Sequence, residues 1–238
     1  CGNGLRCVSR YVCEKLQVSE ALIETMKANL KVKKEQPLFK QLPTYSVEIS
    51  PVSFALSSLP MWYKNQEAIL NEVIEAFSPT IQFTAVSVPN PHLIGIVNDY
   101  YIKHQSHQFL LAQYLNNENE YCADGVNVSY VYPMTDDSIY VRTYERGVGF
   151  TNACGTAMTA SALVANLNGI VKSNVVTVYN PGGFVKCVID KEDSGYKLLL
   201  IGNATIKQLY SLKVIDDSFE WIHCESTGEQ VQYQECIK

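Results

Sequence analysis

The chain has 238 residues, of which 47% are hydrophobic and 18% are charged, with a formal net charge of −5 at pH 7. This length and apolar content predict either one large domain or two compact domains around a substantial core. The negative charge argues against a broad nucleic-acid-binding surface. No apolar run approaches the roughly 18 residues that a membrane-spanning helix needs, so neither nucleic acid nor membrane is expected as a partner.

The eight cysteines are spread along the chain without a Cys-x-x-Cys pair or a Cys/His pair at zinc spacing. Cys1, Cys7 and Cys13 are six residues apart, which on a helix turns successive side chains to different faces. This distribution favours reduced thiols in a cytoplasmic protein. Because the Cys-Gly-Asn-Gly start looks like the middle of a fold, we expect a segment before Cys1 that this sequence lacks.

The first secondary-structure elements follow from apolar spacing. A helix is predicted from the first glycine turn to about Leu16. Residues 19–36 include a second amphipathic stretch, and a Lys-rich turn is predicted at 31–34. Residues 45–49 alternate like a strand. Two prolines and four serines within residues 50–60 predict a domain crossover there.

The rest of the chain is predicted to be rich in strands. Helices are expected at 66–77, 106–115 and 151–168. Ser106 is the expected N-cap of the second of these, and the third is apolar on nearly all sides and is expected to be buried all round. Strands are expected at 81–88, 93–97, 126–132, 138–144, 175–179, 184–189, 197–201 and 206–214. The tail from Asp216 is predicted to be polar, with a single apolar cluster at Phe219, Trp221 and Ile222.

This pattern predicts an α+β fold of two halves, each with a mostly antiparallel sheet curled around one cysteine-led helix. The first half would comprise residues 1–56 and 204–238, and the second would comprise residues 57–203. The first half has fewer predicted strands, which again favours a segment before Cys1.

The two cysteine-led helix starts carry the chemistry. Cys1-Gly2 and Cys154-Gly155 each lead into a predicted helix. A helix start offers unpaired N–H groups and a partial positive charge, which bind an anion and lower the pKa of a thiol. Two such thiols on opposite faces of one carboxylate-bearing substrate would form an acid/base pair. This arrangement predicts racemisation or epimerisation.

Five segments carry a resemblance to a known family. Cys-Gly-Asn-Gly-Leu-Arg-Cys at 1–7 and Tyr-Glu-Arg-Gly-Val-Gly-Phe-Thr-Asn-Ala-Cys-Gly-Thr at 144–156 resemble the two signature segments of the diaminopimelate epimerase family. Its intermediate motifs are resembled, in the same order, by Pro-Asn-Pro-His at 89–92, Gly-Val-Asn at 125–127 and Pro-Gly-Gly at 181–183. The resemblance runs from Cys1 to about Asp216.

The resemblance implies an isomerase that interconverts LL- and meso-diaminopimelate, in lysine and cell-wall precursor synthesis, without pyridoxal phosphate or metal. It implies a homodimer of chains with two pseudo-symmetric halves, and Cys1 and Cys154 as the acid/base thiols. The reacting carboxylate would be held by backbone N–H groups of Gly2, Asn3, Gly155 and Thr156. The distal amino-acid end would be bound by Asn90, Asn127 and Arg146. Glu145 and His92 would lie near the reacting amino group.

The sequence departs from the family at Pro89 and Ala157, where the family usually has glycine. Three alternatives stay open: a racemase of the same fold for another amino acid, a hydrolase with Cys1 as N-terminal nucleophile, and a non-catalytic relative. The polar side chains of Asn90, Asn127 and Arg146 favour a substrate with a second anionic end over a small apolar amino acid. The hydrolase would leave Cys154 and its glycine unexplained.

Overall fold

The computed structural model describes residues 2–26, 28–193, 195–216 and 218–237, and within these ranges the chain forms five α-helices and fourteen strands. The helices are α1 (Gly2–Leu16), α2 (Asp99–Lys103), α3 (Ser106–Leu115), α4 (Gly155–Leu167) and α5 (Glu229–Cys236). The first seven strands are β1 (Glu20–Glu24), β2 (Asn29–Glu35), β3 (Thr44–Ile49), β4 (Glu72–Val73), β5 (Gln82–Ser87), β6 (Pro91–Ile96) and β7 (Asn127–Thr135). The others are β8 (Ser138–Glu145), β9 (Gly149–Thr151), β10 (Val175–Asn180), β11 (Gly183–Glu192), β12 (Gly195–Asn203), β13 (Gln208–Ile215) and β14 (Ser218–Ser226).

One large sheet contains twelve of the strands, in the order β1-β2-β3-β12-β11-β10-β8-β7-β6-β5-β4, with β9 paired to β8. Its pairs are antiparallel except β8 with β10 and β6 with β7. The predicted strands from residue 45 to residue 201 are confirmed, because alternating or continuous apolar residues in them face the core. The α+β class with a curled sheet around few helices is confirmed; the division at residues 56 and 203 stays a prediction.

Helix α4 is the centre of the larger core. Its buried residues are mostly small, and they cover nearly every side of the helix: Gly155, Ala157, Met158, Thr159, Ala160, Ser161, Ala162, Leu163, Val164 and Ala165. Small side chains allow strands to pack close to the helix axis. The prediction of a helix buried all round is confirmed, with its last residue Leu167 turned outward.

Helix α1 also forms as predicted, but it is buried along one face only. Gly2, Arg6, Ser9, Arg10 and Cys13 recur at helical spacing on the buried face. The opposite face is exposed, and its apolar members include Val8, Tyr11 and Leu16.

The amphipathic stretch after α1 forms a β-hairpin, and the predicted turn at 31–34 is wrong. Ala21 pairs with Val32 and Ile23 with Leu30, and the hairpin turns near Thr25. The lysines of 31–34 belong to β2, where Val32 alone is buried between exposed lysines. Alternation with a period of two therefore overrides the apparent helical spacing in this stretch.

The predicted helix at 66–77 is wrong. Its apolar residues Ile69, Ile74 and Phe77 are buried as expected, yet the segment is irregular apart from β4. Its backbone bonds go to β5: Ala85 N–H donates to the Ile69 carbonyl at 3.0 Å, and Asn71 N–H donates to a threonine hydroxyl there at 2.9 Å. Contacts with the sheet thus replace the i to i−4 bonds that a helix would need.

Helix α3 has the predicted bounds, but Ser106 is not its N-cap. Gln105 occupies that position without a side-chain hydrogen bond.

Among the described helices, none combines the length and apolar character that a membrane crossing requires.

The C-terminal part is more structured than its polar composition indicated. Strands β13 and β14 form a separate two-stranded sheet, and Phe219 and Trp221 pack edge to face on it while both stay exposed. After this hairpin, α5 returns to the body of the protein, where Glu229 forms an ion pair with Arg10 of α1 at 2.6 Å.

Truncation of one α4 leucine tests the central position of this helix. Leu163 is fully buried, whereas Leu167 on the same helix is 43% exposed. We expect Leu163→Ala to lower the free energy of unfolding by about 2–5 kcal/mol, because it removes buried surface and leaves a cavity. Leu167→Ala, as the control, is expected to cost under about 1 kcal/mol. Urea unfolding followed by circular dichroism measures both, and equal losses would contradict this assignment.

Candidate active site

The starts of α1 and α4 touch through glycines. A Cβ on Gly155 would lie 2.8 Å from Leu200 Cδ2 and 3.3 Å from Gly2 Cα, and a Cβ on Gly2 would lie 2.7 Å from the same Leu200 carbon. A methyl group at either position would therefore force Leu200 to move. Asn3 adds a bond across the contact, its Nδ2 donating to the Ala153 carbonyl at 3.4 Å. Two helix N-termini therefore bring unpaired N–H groups and partial positive charge to one place, which suits an anion.

Cys154 is the N-cap of α4, with extended backbone angles, and it is 7% exposed. Burial raises the pKa of its thiol; the Thr156 hydroxyl and the Ala157 backbone N–H oppose that rise, and the Glu145 carboxylate adds to it. The net direction is upward, so Cys154 holds its proton at neutral pH, and the lowered pKa expected from the helix start is wrong because burial outweighs it. The other predicted thiol, Cys1, lies outside the described residues.

Glu145 is held at the end of β8 by the short strand that leads to the cysteine. Thr151 of β9 donates its hydroxyl hydrogen to Glu145 Oε1 at 2.5 Å. Antiparallel pairing of β8 with β9 places Glu145 opposite Gly149. The carboxylate is therefore fixed close enough to the Cys154 thiol to act on its pKa.

His92 connects the cysteine to the Pro-Asn-Pro-His turn. Its Nε2 lies 3.1 Å from Asn90 Oδ1 and 3.2 Å from Thr156 Oγ1, and that hydroxyl lies 3.4 Å from Cys154 Sγ. Because an amide oxygen only accepts, Nε2 carries the proton and Thr156 is free to donate to the sulfur. Nδ1 is buried and has no hydrogen-bond partner among the described residues.

The His92 imidazole is neutral. Complete burial, with a further contribution from the nearby Arg146 charge, lowers its pKa to about 3. The positive charge of an imidazolium is thereby kept away from the positive helix starts. The neutral imidazole serves as a hydrogen-bond donor over the whole neutral pH range.

Asn127 ties two site loops together. In the parallel pair of β6 and β7 it is opposite His92. Its Nδ2 donates to the Pro91 carbonyl at 3.0 Å, and its Oδ1 accepts from Arg146 N–H at 2.9 Å. Both ends of the amide are thus engaged by backbone groups. The exposed Arg146 side chain donates from Nη1 to the Asp124 carbonyl at 2.7 Å.

The described site residues predicted from the sequence lie in one region, where the starts of β6 and β7 and the end of β8 meet the first turn of α4 and the start of α1. They are Gly2, Asn3, Asn90, His92, Asn127, Glu145, Arg146, Cys154, Gly155 and Thr156. Their contacts with a substrate stay predictions.

Sequence reasoning missed three supporting residues. Thr151 holds Glu145, Leu200 lies against both glycines, and Asn116 accepts from Val126 N–H at 3.1 Å beside the Gly125 turn. Thr151 fell within a predicted helix, and Leu200 looked like an ordinary strand residue. Asn116 follows directly after a correctly predicted helix. Because asparagine is common at helix ends, it was the only one of the three that the sequence could have indicated.

Comparisons with known proteins match the chain to one family. Residues 84–207 match the family model for diaminopimelate epimerase. The whole chain aligns with a diaminopimelate epimerase from Listeria monocytogenes serovar 1/2a at 50% identity, covering 72% of that protein. It also aligns whole with one from Enterococcus faecalis at 45% identity, covering 74% of that protein.

A solved structure supports the fold independently. A hydroxyproline epimerase from Agrobacterium vitis matches 83% of this chain and 61% of its own, with a TM-score of 0.52 at 13% identity. At this identity the likeness concerns the fold alone.

The glycine contact predicts opposite effects of two alanine substitutions. Gly155→Ala forces a methyl group against Leu200 and the Gly2 backbone, and we expect it to lower the free energy of unfolding by about 1–3 kcal/mol. A Cβ on Gly4, in the same region of α1, would have no neighbouring atom within 4 Å. Gly4→Ala is expected to stabilise the helix by about 0.5–1 kcal/mol. Urea unfolding of both variants decides, and a neutral Gly155→Ala would contradict the close approach.

Burial of neutral His92 predicts a pH-dependent stability. Between pH 6.5 and about 4 the unfolded chain binds a proton that the folded chain refuses, so the free energy of unfolding falls as pH falls, by about 1.4 kcal/mol per pH unit from this group. His92→Gln is expected to reduce that slope, whereas His223→Gln, at an exposed histidine, is the control. Unfolding series at several pH values measure the slopes. An unchanged slope in His92→Gln would contradict the burial argument.

Proposed function

Since the chain belongs to the diaminopimelate epimerase family, we propose that it is an isomerase that interconverts LL- and meso-diaminopimelate by moving the α-proton between two thiols, Cys1 and Cys154. The family supports a homodimer in the cytoplasm that works without pyridoxal phosphate or metal. The substrate is inferred from the names of the relatives, and the proton transfer is inferred from the geometry around Cys154.

The contact between the two helix starts carries this proposal. An amino-acid α-proton is weakly acidic, and its removal leaves negative charge that spreads onto the carboxylate. Fixed dipoles would face that charge from the backbone N–H groups of Gly2, Asn3, Gly155 and Thr156. The region is almost wholly shielded from water at Cys154. Such preorganised donors cost no reorganisation when the charge develops.

Inversion of the α-carbon requires one cysteine as thiol and the other as thiolate. The raised pKa of Cys154 favours its protonated form, so Cys154 would be the thiol of the resting pair. In one direction Cys1, as thiolate, would remove the α-proton while Cys154 delivers its own proton to the opposite face. In the other direction Cys154, having lost its proton, would act as the base. The substrate ends with one proton exchanged and the opposite configuration, and the two cysteines have exchanged states.

Thr156 and Glu145 would manage the two states of Cys154. The Thr156 hydroxyl, 3.4 Å from the sulfur, can donate to the thiolate while its oxygen accepts from His92. The carboxylate of Glu145 favours the thiol. The Thr156 hydroxyl would thus lessen the preference for the thiol that burial and Glu145 create, which proton transfer in both directions needs.

The distal amino-acid end would be recognised at the Arg146 loop. Its guanidinium is exposed and has donors beyond the one that binds the Asp124 carbonyl. A guanidinium can grip a carboxylate through two parallel hydrogen bonds. Asn90 lies beside His92 on the same side of the site. A substrate with a second polar end therefore suits this loop.

Loss of one thiol tests the two-thiol reaction. In the intact gene product under reductant, Cys154→Ala is expected to reduce conversion of LL- to meso-diaminopimelate by at least about a hundredfold, the scale of a lost acid/base group. Chromatographic separation of the isomers, with mass analysis of solvent deuterium in the product, follows the reaction. Cys224→Ala removes an exposed thiol and serves as the control. Inverted, deuterated product from Cys154→Ala at the control rate would exclude the mechanism.

A further inference from the structure

Helix α5, near the end of the chain, has no part in the chemistry described above, yet it is firmly anchored. The Glu229 carboxylate accepts two hydrogen bonds from the Arg10 guanidinium, at 2.6 and 2.8 Å, and one from Ile206 N–H at 2.8 Å. Arg10 is 9% exposed, so this bidentate pair lies largely out of water. Lys40 pairs with Glu235 near the end of the helix. The helix is thus fixed to α1 and to the body of the fold.

Between these anchors, Tyr233 reaches the turn that joins β10 to β11. Its hydroxyl donates to the Gly182 carbonyl at 2.8 Å, and the Phe184 backbone N–H interacts with the hydroxyl oxygen of Tyr233. Gly183 has φ +134°, and a Cβ there would lie 2.1 Å from the Tyr233 oxygen. The turn therefore needs glycine both for its backbone angle and for the approach of this tyrosine.

The same turn holds the chain on both sides of Cys154. Gly182 N–H donates to the Asn152 carbonyl at 3.0 Å and to Asn180 Oδ1 at 2.9 Å. The Asn180 amide in turn lies 3.7 Å from Met158 Sδ in the first turns of α4. Asn152 precedes the cysteine by two residues and Met158 follows it by four. Movement of the turn would therefore move the segment that carries the thiol.

We infer that Tyr233 is a positioning residue for Cys154: from α5, through the turn at residues 181–183, its hydroxyl fixes the segment that presents the thiol. The catalytic importance of this clamp rests on the proposed function, whereas the clamp itself rests only on contacts seen in the structure. Without the hydroxyl, the Gly182 carbonyl and the Phe184 N–H lose their shared partner. The turn would then open more often, and water and small reagents would reach the sulfur.

Alkylation of Cys154 tests the inference without turnover. Iodoacetamide modification is followed by peptide mass spectrometry from about pH 6 to about pH 11, a range that spans thiol titration. In Tyr233→Phe we expect Cys154 to react about fivefold faster than in the unmodified protein, the change in a local opening equilibrium that loss of one ordinary hydrogen bond produces. Since burial is the main cause of its raised pKa, the midpoint of its pH profile should also move down toward the ordinary value.

Cys122 serves as an internal reference for general unfolding. It is 1% exposed and belongs to the other hydrophobic cluster, between the 56–63 segment and β7. A purely structural effect of Tyr233→Phe would accelerate both cysteines together. A local effect accelerates Cys154 alone.

Two glycines provide a matched pair of further variants. Gly183→Ala drives a methyl group into the Tyr233 hydroxyl, and it is expected to accelerate Cys154 alkylation as Tyr233→Phe does. Gly195 has nearly the same φ, +132°, also at a hairpin turn, but open space around its Cβ position. Gly195→Ala imposes the same backbone strain without displacing the tyrosine and should leave the Cys154 profile unchanged.

An unchanged Cys154 rate and midpoint in Tyr233→Phe, or equal acceleration of Cys154 and Cys122, would overturn the inference. So would a Gly195→Ala effect on Cys154 as large as that of Gly183→Ala. A protein that shows the expected alkylation pattern but does not convert diaminopimelate would contradict the proposed function and leave the positioning role of Tyr233 in place.

Discussion

The contact of Gly2 with Gly155 is the constraint on which the site depends. A Cβ on Gly155 would press on the Gly2 backbone, and a Cβ on either glycine would clash with Leu200, which fills the space against both. Leu200 belongs to β12, which pairs with β3 on one side and with β11 on the other, so the support of the two helix starts lies in the middle of the large sheet. The strands around β12 thereby set the distance between the two positive helix ends.

Around this contact, the fold balances opposite influences on one sulfur atom. Burial and a carboxylate favour the thiol of Cys154, whereas a hydroxyl and the helix start favour the thiolate. The hydroxyl of Thr156 is itself oriented by His92, whose complete burial keeps the imidazole uncharged. A charged histidine at this position would have shifted the balance strongly to one side. The polar network therefore favours the thiol of Cys154, and the hydroxyl and the helix start limit that preference.

The sequence was informative where a local period or a glycine-led turn determines the structure. Strands such as β3 and the all-apolar α4 followed from side-chain periodicity, and the cysteine-glycine motifs located both helix starts. The prediction of a helix at 66–77 was wrong because Ile69, Ile74 and Phe77 can face a core from an irregular backbone as well as from a helix. The prediction of a turn at 31–34, where β2 of the first hairpin lies, was wrong for a related reason. The bond from Tyr233 to Gly182 joins residues 51 positions apart, and no local pattern signals such a contact.

The small side chains of α4 have an entropic consequence. Glycine and alanine have no side-chain rotamers to lose, so Gly155, Ala157 and Ala160 become ordered at almost no cost in side-chain conformational entropy. A helix built from long side chains would have incurred that cost and would have kept some rotameric freedom beside the thiol. These small residues therefore add few side-chain rotamers beside Cys154, and the backbone dipoles at its helix start are already oriented before any anion arrives.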